Sequence, residues 1–298
     1  MRKSAPSPRY ARRLDWRPAA TLLGVVMLLG GAVPSASAVT INTNFVSNGG
    51  NLGSLTAGSA STDTAGGGRL SALMGQATNY WEHAITDSST LTVNYGWSSL
   101  GSGTLGSTST SFSPDHRPAS ADIAVTDASS VPWFMDSTPG GNSEYSTYTT
   151  SSHDYGGGTI NTGRVYTGAT GAAQNRFDML SVVIHELGHA LGFYGASNPL
   201  DITNPLPDAG TQLPTETTTS GTCSSNCDHL AINTAAMYPS IPAGERKLLT
   251  TADLLSVAQL RGDTSVNVSP VPLPASGALM LSGLIALLGW GGRRRRGA

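Results

Sequence analysis

The sequence is short of cysteine and of charged residues. Its 298 residues include two cysteines, and 12% of the side chains are charged. Cys223 and Cys227 stand four positions apart, so a bond between them would close one small loop and could not staple a whole fold. No internal repeat of fixed period occurs, which argues against a solenoid or a propeller. The chain must therefore fold around an ordinary hydrophobic core.

Basic side chains are scarce between residues 39 and 265. That segment has 18 Asp and Glu against 7 Lys and Arg, a net charge near −11, although the whole chain has −2. An acidic domain argues against nucleic acid and anionic lipid as partners. Low charge density with abundant Gly, Ser and Thr is typical of an exported, loop-rich protein.

Residues 1–38 have the three parts of an export signal. A basic segment is followed by a short apolar run and then by Ala36, Ser37 and Ala38, the small residues after which signal peptidase cuts. We predict a signal peptide over 1–38 and a mature chain that begins near Val39. The alternative is an uncleaved membrane anchor, for which the apolar run is short. Export would place the two cysteines in an oxidising compartment, which favours a local disulfide over a metal pair.

The other end, residues 266–298, is predicted to be a linker followed by a membrane-directed tail. Residues 271–274 read Val-Pro-Leu-Pro, 275–292 carry no charge, and 293–296 are four arginines. By length this run nearly crosses a bilayer as a helix, and the arginines would stay cytoplasmic. The tail resembles the PEP-CTERM sorting signal of Gram-negative bacteria. That resemblance implies transient anchoring in the inner membrane, removal of the tail by an exosortase-type enzyme, and release to the outer surface or extracellular matrix.

The domain between these ends, residues 39–265, is predicted to be α+β with a mixed, twisted sheet. Alternation predicts strands at 39–45, 91–97, 121–126 and 158–168, the last at a sheet edge. Helical spacing of apolar residues predicts helices over 69–85 and 179–193, the second capped by Asp178, and a final helix capped near Thr250. Residues 98–114 are too rich in Gly, Ser and Thr to be core, and 195–228 are predicted to form a long loop.

The second of these helices contains "HELGHALG", residues 185–192. His185 and His189 lie four apart, so both imidazoles share one helix face and can meet one metal ion. Glu186 lies about 100° around the helix, near enough to hold a water without binding the metal itself. This is the arrangement that metal-assisted hydrolysis needs. The alternative is an amphipathic helix on which two histidines occur by chance.

This motif, followed by "AAMYPSI" at 235–241, resembles the metzincin metalloproteases and the matrixins in particular. The resemblance implies a metzincin-like catalytic domain with an active-site helix, a Met-turn and a C-terminal helix. It also implies one catalytic Zn²⁺, Glu186 as general base and acid, and protein or peptide substrates. The counterpart of Gly192 turns the chain beneath the metal, and Met237 would be the Met-turn residue.

The family's third metal ligand would fall at position 195, which is glycine and has no ligating side chain. We expect His229 to replace it, because a catalytic zinc site needs three protein ligands. In the leishmanolysin branch the third histidine likewise lies just before the Met-turn, after an insertion that would correspond here to 196–228. Asp201 is the alternative ligand. His153 lies in a loop similar to an ion-binding loop of matrixins, but it is also consistent with a solvated histidine, so a structural Ca²⁺ has no firm support.

These observations predict an exported zinc-dependent endopeptidase whose ligands are His185, His189 and His229. The segment 158–168 would be the edge strand along which an extended substrate pairs. One competing hypothesis is a non-catalytic surface or biofilm-matrix protein on a degenerate metzincin scaffold. Another is a different hydrolase, such as an amidase that acts on cell-wall peptides.

Overall fold

The computed structural model describes residues 38–194, 200–202, 206–215, 217–218, 221–222 and 228–268, with 201, 217, 218, 221 and 222 described through the backbone alone. The predicted signal peptide, sorting tail and Cys223–Cys227 disulfide lie outside these residues and stay predictions. None of the helices described is long and apolar enough to cross a membrane.

Within the described residues the chain forms three α-helices and a series of strands. The helices are α1 Leu70–Ala84, α2 Met179–Ala190 and α3 Thr251–Arg261. The longer strands are β1 Val39–Phe45, β5 Ser89–Ser98, β6 Gly106–Phe112, β7 Pro118–Thr126, β9 Tyr145–Asp154 and β10 Thr159–Ala169. The two-residue strands are β2 Asn51–Leu52, β3 Leu55–Thr56, β4 Thr64–Ala65, β8 Trp133–Phe134, β11 Phe177–Asp178, β12 Leu200–Asp201, β13 Gln212–Leu213, β14 Thr217–Thr218, β15 Gly221–Thr222 and β16 Arg246–Lys247.

The main sheet is mixed and has the strand order β1-β5-β7-β6. Strands β1, β5 and β7 run parallel, and β6 pairs antiparallel with β7 at the edge. The α+β class with mixed sheets is confirmed. Residues 106–112 of the segment that was expected to lie outside the core form the ordered strand β6, and none of its side chains is buried. Its serines and threonines alternate between exposed and partly buried positions, as an edge strand requires.

Helices α1 and α2 pack together and bring their apolar faces to the main sheet. The side chains predicted for the inner face of α1 are all buried: Leu70, Leu73, Met74, Ala77, Trp81 and Ala84. The indole of Trp81 donates a hydrogen bond to the Ile184 carbonyl of α2 at 3.0 Å. Helix α2 ends at Ala190, three residues earlier than predicted, because the chain turns at Gly192 with φ of 109°. Only glycine adopts that backbone conformation readily.

A second sheet has the order β16-β10-β9. Strand β10 pairs with β9 on one side and with β16 on the other, the latter at Val165 and Tyr166. The prediction of an edge strand at 158–168 is therefore wrong: strand β10 is central, and substrate pairing along it is ruled out where β9 and β16 already bond to it. The sequence of β9 has no apolar alternation because its side chains are largely exposed.

Helix α3 begins with the predicted cap. The Thr250 hydroxyl accepts from the Asp253 amide at 3.2 Å, while Asp253 accepts from the Thr250 amide at 2.8 Å. Gly262 closes the helix in the left-handed conformation. Between α2 and α3, the described parts of the predicted loop 195–228 contain two short hairpins, β12 with β13 and β14 with β15.

Candidate metal centre

Helix α2 begins at a buried polar junction. Asp178 caps the helix by accepting from the Ser181 amide at 3.0 Å. The buried guanidinium of Arg246 donates to Asp178 at 2.8 Å and to Asp136 at 2.7 Å. These charges tolerate burial because each has a partner in hydrogen-bonding geometry. The junction joins β16 to the start of the helix that carries the histidines.

His185 and His189 lie one turn apart on α2. The Nδ1 of His185 is 2.8 Å from the Ala236 carbonyl oxygen, and the Nδ1 of His189 is 2.8 Å from that of Phe193. A carbonyl only accepts, so each Nδ1–H donates to its carbonyl, and in the neutral ring the Nε2 then has a lone pair for a metal ion. The two Nε2 atoms are 3.1 Å apart. Two Zn–N bonds at a tetrahedral angle would separate the nitrogens by about 3.3 Å, so a shared cation fits between them.

His229 supplies the third imidazole. Its ring centroid lies 5.2 Å from that of His185 and 5.1 Å from that of His189. One ligand atom from each of the three histidines lies within 4.8 Å of the other two. Three neutral nitrogen ligands suit a transition metal such as zinc and disfavour calcium or magnesium, which prefer oxygen. The group could therefore hold a metal ion. The alternative ligand Asp201 lies in β12, described only through its backbone.

The turn that carries Met237 orients the ring of His185 through a hydrogen bond at Nδ1. The Ala236 carbonyl accepts from His185, while the amides of Ala236 and Met237 donate to the buried carboxylate of Asp253 at 3.1 and 2.8 Å. The Leu230 amide donates to the Met237 carbonyl at 2.9 Å and so links the turn to the segment of His229. The α3 cap, the turn and two of the three histidines are thus one connected unit.

Met237 is fully buried against α2, where Gly188 makes room for it. A Cβ at position 188 would lie 3.0 Å from Met237 Cε and 3.2 Å from the indole of Trp81. The ends of the turn are held by Lys247 of β16, whose Nζ donates to the carbonyls of Asn233 and Ser240 at 2.8 Å each. Burial lowers the pKa of Lys247, although nearby carboxylates raise it.

Glu186 faces strand β6. Its Oε2 accepts from the Thr108 hydroxyl at 2.7 Å, and its backbone carbonyl lies 3.1 Å from the same hydroxyl. The hydroxyl of Thr110 makes a parallel contact to the His189 carbonyl at 3.1 Å. Gly106 leaves space for the carboxyl group, because a Cβ there would lie 2.7 Å from Glu186 Cδ. Strand β6 therefore contacts helix α2 through the hydroxyls of both Thr108 and Thr110.

Burial changes the acid-base behaviour of the helix residues. It lowers the pKa of His185 well below the usual value, and the neighbouring His189 and His229 lower it further, so the ring stays neutral and able to bind a metal. Burial raises the pKa of Glu186, while the hydrogen bond from Thr108 and the charge of His189 oppose that rise. A carboxyl group with a raised pKa can both accept and return a proton near neutral pH.

The histidines and Glu186 line a cleft of about 480 Å³ between β6, α2 and residues 239–241. The apolar side chains that line the cleft are those of Leu105, Val131, Phe177, Val182 and Ile241. Tyr194 stands at the rim with 59% of its surface exposed. The cleft therefore combines a polar centre with room for an apolar group, as ligand sites commonly do.

Comparison with known proteins does not add to this description. No protein-family model matches the chain, and no curated protein matches it.

The structure brings together the predicted residues His185, Glu186, His189 and His229. His153, predicted in a loop, lies instead in β9, where its ring contacts Tyr155 at a centroid distance of 4.3 Å. Sequence reasoning missed Thr108, because the polar composition around it indicated a loop. The alternation of threonine and serine over 107–111 is a period-two signal that would have placed a strand there.

Proposed function

We propose that this chain is a zinc-dependent endopeptidase of metzincin type. The observation that carries the proposal is the convergence of His185, His189 and His229 beside the buried carboxylate of Glu186. Three protein ligands leave one position of a tetrahedral zinc site open, which distinguishes catalytic from structural zinc sites. A carboxylate next to that open position has a direct use in hydrolysis.

Support for the metzincin assignment comes from the contacts around Met237. Its side chain packs on Gly188, which lies between the two histidines in sequence, and the Ala236 carbonyl of its turn accepts a hydrogen bond from His185 Nδ1–H. The turn at Gly192 follows directly after the helix. Asp253 ties the final helix α3 to the same turn. These are the parts that the resemblance implies.

When bound, zinc would polarise the scissile carbonyl and acidify an attacking water. The residues of the chain do the remaining work. The carbonyls of Ala236 and Phe193 accept hydrogen bonds from the Nδ1–H groups of His185 and His189 and so fix the orientation of both rings. Glu186 takes the proton from the attacking water and delivers it to the leaving amine. Hydrolysis by this route would need no covalent bond between substrate and protein.

An extended peptide fits the cleft better than a compact ligand. Among the described strands, β6 is bonded to β7 alone, so its other edge offers main-chain groups to a substrate strand. We assign to β6 the pairing that the sequence placed on 158–168. The apolar wall at Phe177, Val182 and Ile241 would receive an uncharged side chain of the substrate.

The cellular setting of the proposal rests on residues 1–38 and 266–298. The chain would be exported and held transiently at the inner membrane of a Gram-negative bacterium. An exosortase-type enzyme would then remove the tail and release the protease to the surface or matrix. Mass spectrometry of the mature protein from its native host tests this: both termini should be shortened, near residue 39 and before residue 275.

The activity is tested with the purified protein, treated with chelator and reloaded with zinc, on casein and on a fluorogenic peptide library. We expect one zinc per chain and cleavage that requires it. Glu186→Ala should keep zinc and lose activity by a factor of about 10² to 10⁴. His229→Ala should lose zinc affinity by more than the 10- to 100-fold typical of outer-shell changes. His83→Ala, an exposed histidine remote from the cleft, is the matched control and should change neither.

Each failure has a defined meaning. Full zinc binding by His229→Ala would eliminate His229 as the third ligand and return Asp201 to that role. Tight zinc binding without cleavage of any peptide would favour the non-catalytic surface protein. Cleavage of cell-wall peptides alone would favour the amidase.

A further inference from the structure

Strand β6 makes two side-chain contacts to α2 that look alike but differ in what they reach. Thr110 donates to a backbone carbonyl, that of His189, at 3.1 Å. Thr108 makes the same kind of contact to the Glu186 carbonyl at 3.1 Å and, in addition, donates to the Glu186 carboxylate at 2.7 Å, the shorter and charge-assisted bond. No other hydrogen bond to this carboxylate occurs within the described part of the chain. Thr108 therefore has a contact that packing of the strand on the helix does not require.

The carboxyl group of Glu186 is confined on a second side. Gly106 stands next to it, and a Cβ at that position would lie 2.7 Å from Glu186 Cδ. Glu186 itself is 5% exposed. A glutamate has three rotatable side-chain bonds, so burial against glycine alone would leave its carboxyl plane free to rotate. The hydroxyl of Thr108 removes that freedom at one oxygen and leaves the other oxygen available.

We propose that Thr108 is a positioning residue for the proteolytic reaction: its hydroxyl holds the Glu186 carboxylate in one orientation before substrate binds. This inference rests on the proposed function, in which Glu186 transfers the proton. Orientation of a catalytic group before reaction can change a rate by orders of magnitude, and a shift of about 1 Å can cost about 100-fold. The effect should appear in kcat, because Thr108 acts through Glu186 and not through the ligands of the metal.

The test compares three single variants of the full chain, each loaded with zinc and assayed on one fluorogenic peptide. Thr108→Val keeps the shape of the side chain and removes the hydroxyl, and we expect kcat to fall about tenfold with KM within about twofold. Thr108→Ser restores the hydroxyl and should return kcat to within about threefold of the parent. Zinc content should be equal in all variants.

Thr110→Val supplies the structural comparison. It removes the neighbouring hydroxyl contact between β6 and α2, so its unfolding midpoint in urea should fall, though by less than that of Thr108→Val, which loses a bond to a charged group. Its loss of kcat should be at least about fivefold smaller, because its hydroxyl reaches only a backbone carbonyl.

Equal losses of kcat in Thr108→Val and Thr110→Val would overturn the inference and indicate strand packing alone. Parent-like kcat in Thr108→Val, or a Thr108→Ser variant no better than Thr108→Val, would also overturn it. Absence of cleavage by the zinc-loaded parent would instead overturn the proposed function, and this inference with it. The two failures are therefore distinguishable in one set of assays.

Discussion

Replacement of Asp253 by alanine tests whether the final helix supports the candidate metal centre. The carboxylate of Asp253 lies at the start of α3, fully buried, and accepts hydrogen bonds from the amides of Thr250, Ala236 and Met237. Its loss removes the helix cap and leaves the Met237 turn without support. In the same turn the Ala236 carbonyl accepts a hydrogen bond from His185 Nδ1–H. We therefore expect a loss of stability together with a loss of metal affinity.

The magnitude follows from the bonds. Each buried amide that loses its acceptor costs about 1–3 kcal/mol, so three amides give at least about 3 kcal/mol. Burial raises the pKa of Asp253, although its hydrogen bonds oppose that rise, so the charged form carries a desolvation cost that the variant no longer has. We therefore expect the lower end, about 3 kcal/mol, which is a large part of the 5–15 kcal/mol typical of a domain.

Urea unfolding with chelator present measures the first effect, and zinc titration against a competing chelator measures the second. Thr250→Val is the control, because it removes only the capping hydroxyl and should cost about 1 kcal/mol. Zinc affinity of Asp253→Ala should fall by about 10- to 100-fold, as for other supports of a ligating histidine. A stability loss no larger than that of Thr250→Val, with unchanged zinc affinity, would refute the connection between α3 and the site.

Three further predictions concern other parts of the chain. Gly188→Ala should destabilise the protein, because overpacking against Met237 costs about 1–3 kcal/mol, which outweighs the gain of about 1 kcal/mol in helix propensity. Gly75→Ala, with open space around it in α1, should show only the gain, and equal urea midpoints for the two variants would contradict this. Although burial raises the pKa of Asp87, hydrogen bonds from Thr264 and Ser265 lower that pKa below its ordinary value. The ionised Asp87 therefore stabilises the fold above pH about 4, and this stabilisation is lost as the pH falls through the pKa of the folded state. Asp87→Asn should therefore show a smaller fall in unfolding free energy on acidification below that pH, and a parent-like slope would count against the assignment. Peptides that offer an apolar side chain to the cleft should be cleaved at least about tenfold faster, in kcat/KM, than matched peptides with an acidic one, and equal rates would remove the apolar wall from substrate selection.

Much of the helical framework could be predicted from the sequence because its signals are local. The inner face of α1 follows the spacing of its apolar residues, and the caps at Asp178 and Thr250 act within one turn of the chain. The position of His229 could be inferred because a zinc site needs a third ligand. The distance between the rings of His229 and His185 could not be derived from periodicity, since the chain between the two residues includes strands β12 to β15 and is not one regular element.

The arrangement of the second sheet is hard to predict from the sequence, because it depends on contacts between segments that are distant along the chain. Strand β10 is central only because β9 and β16 flank it, and β9 has an outer face of exposed serine and threonine that gives no apolar alternation. The burial of Arg246 and Lys247 was equally invisible, since charged residues are buried only where partners neutralise or bond them. Those partners, Asp136, Asp178 and the carbonyls of the Met237 turn, come from distant parts of the chain.

The order of strand β6 depends on both local propensity and non-local contacts. Its serines and threonines resemble a flexible linker in composition, yet threonine is also a good strand former because its branched Cβ suits an extended backbone. Every second side chain of β6 is exposed on a solvated face, so polar residues are no obstacle to order there. On the other face the hydroxyls of Thr108 and Thr110 meet acceptors of α2, which an apolar strand could not bond. The hydroxyl groups that give the segment the composition of a loop therefore also allow it to bond to polar groups of the helix. Replacing Thr108 or Thr110 by valine keeps the branched Cβ that favours a strand and removes the hydroxyl bond to the helix.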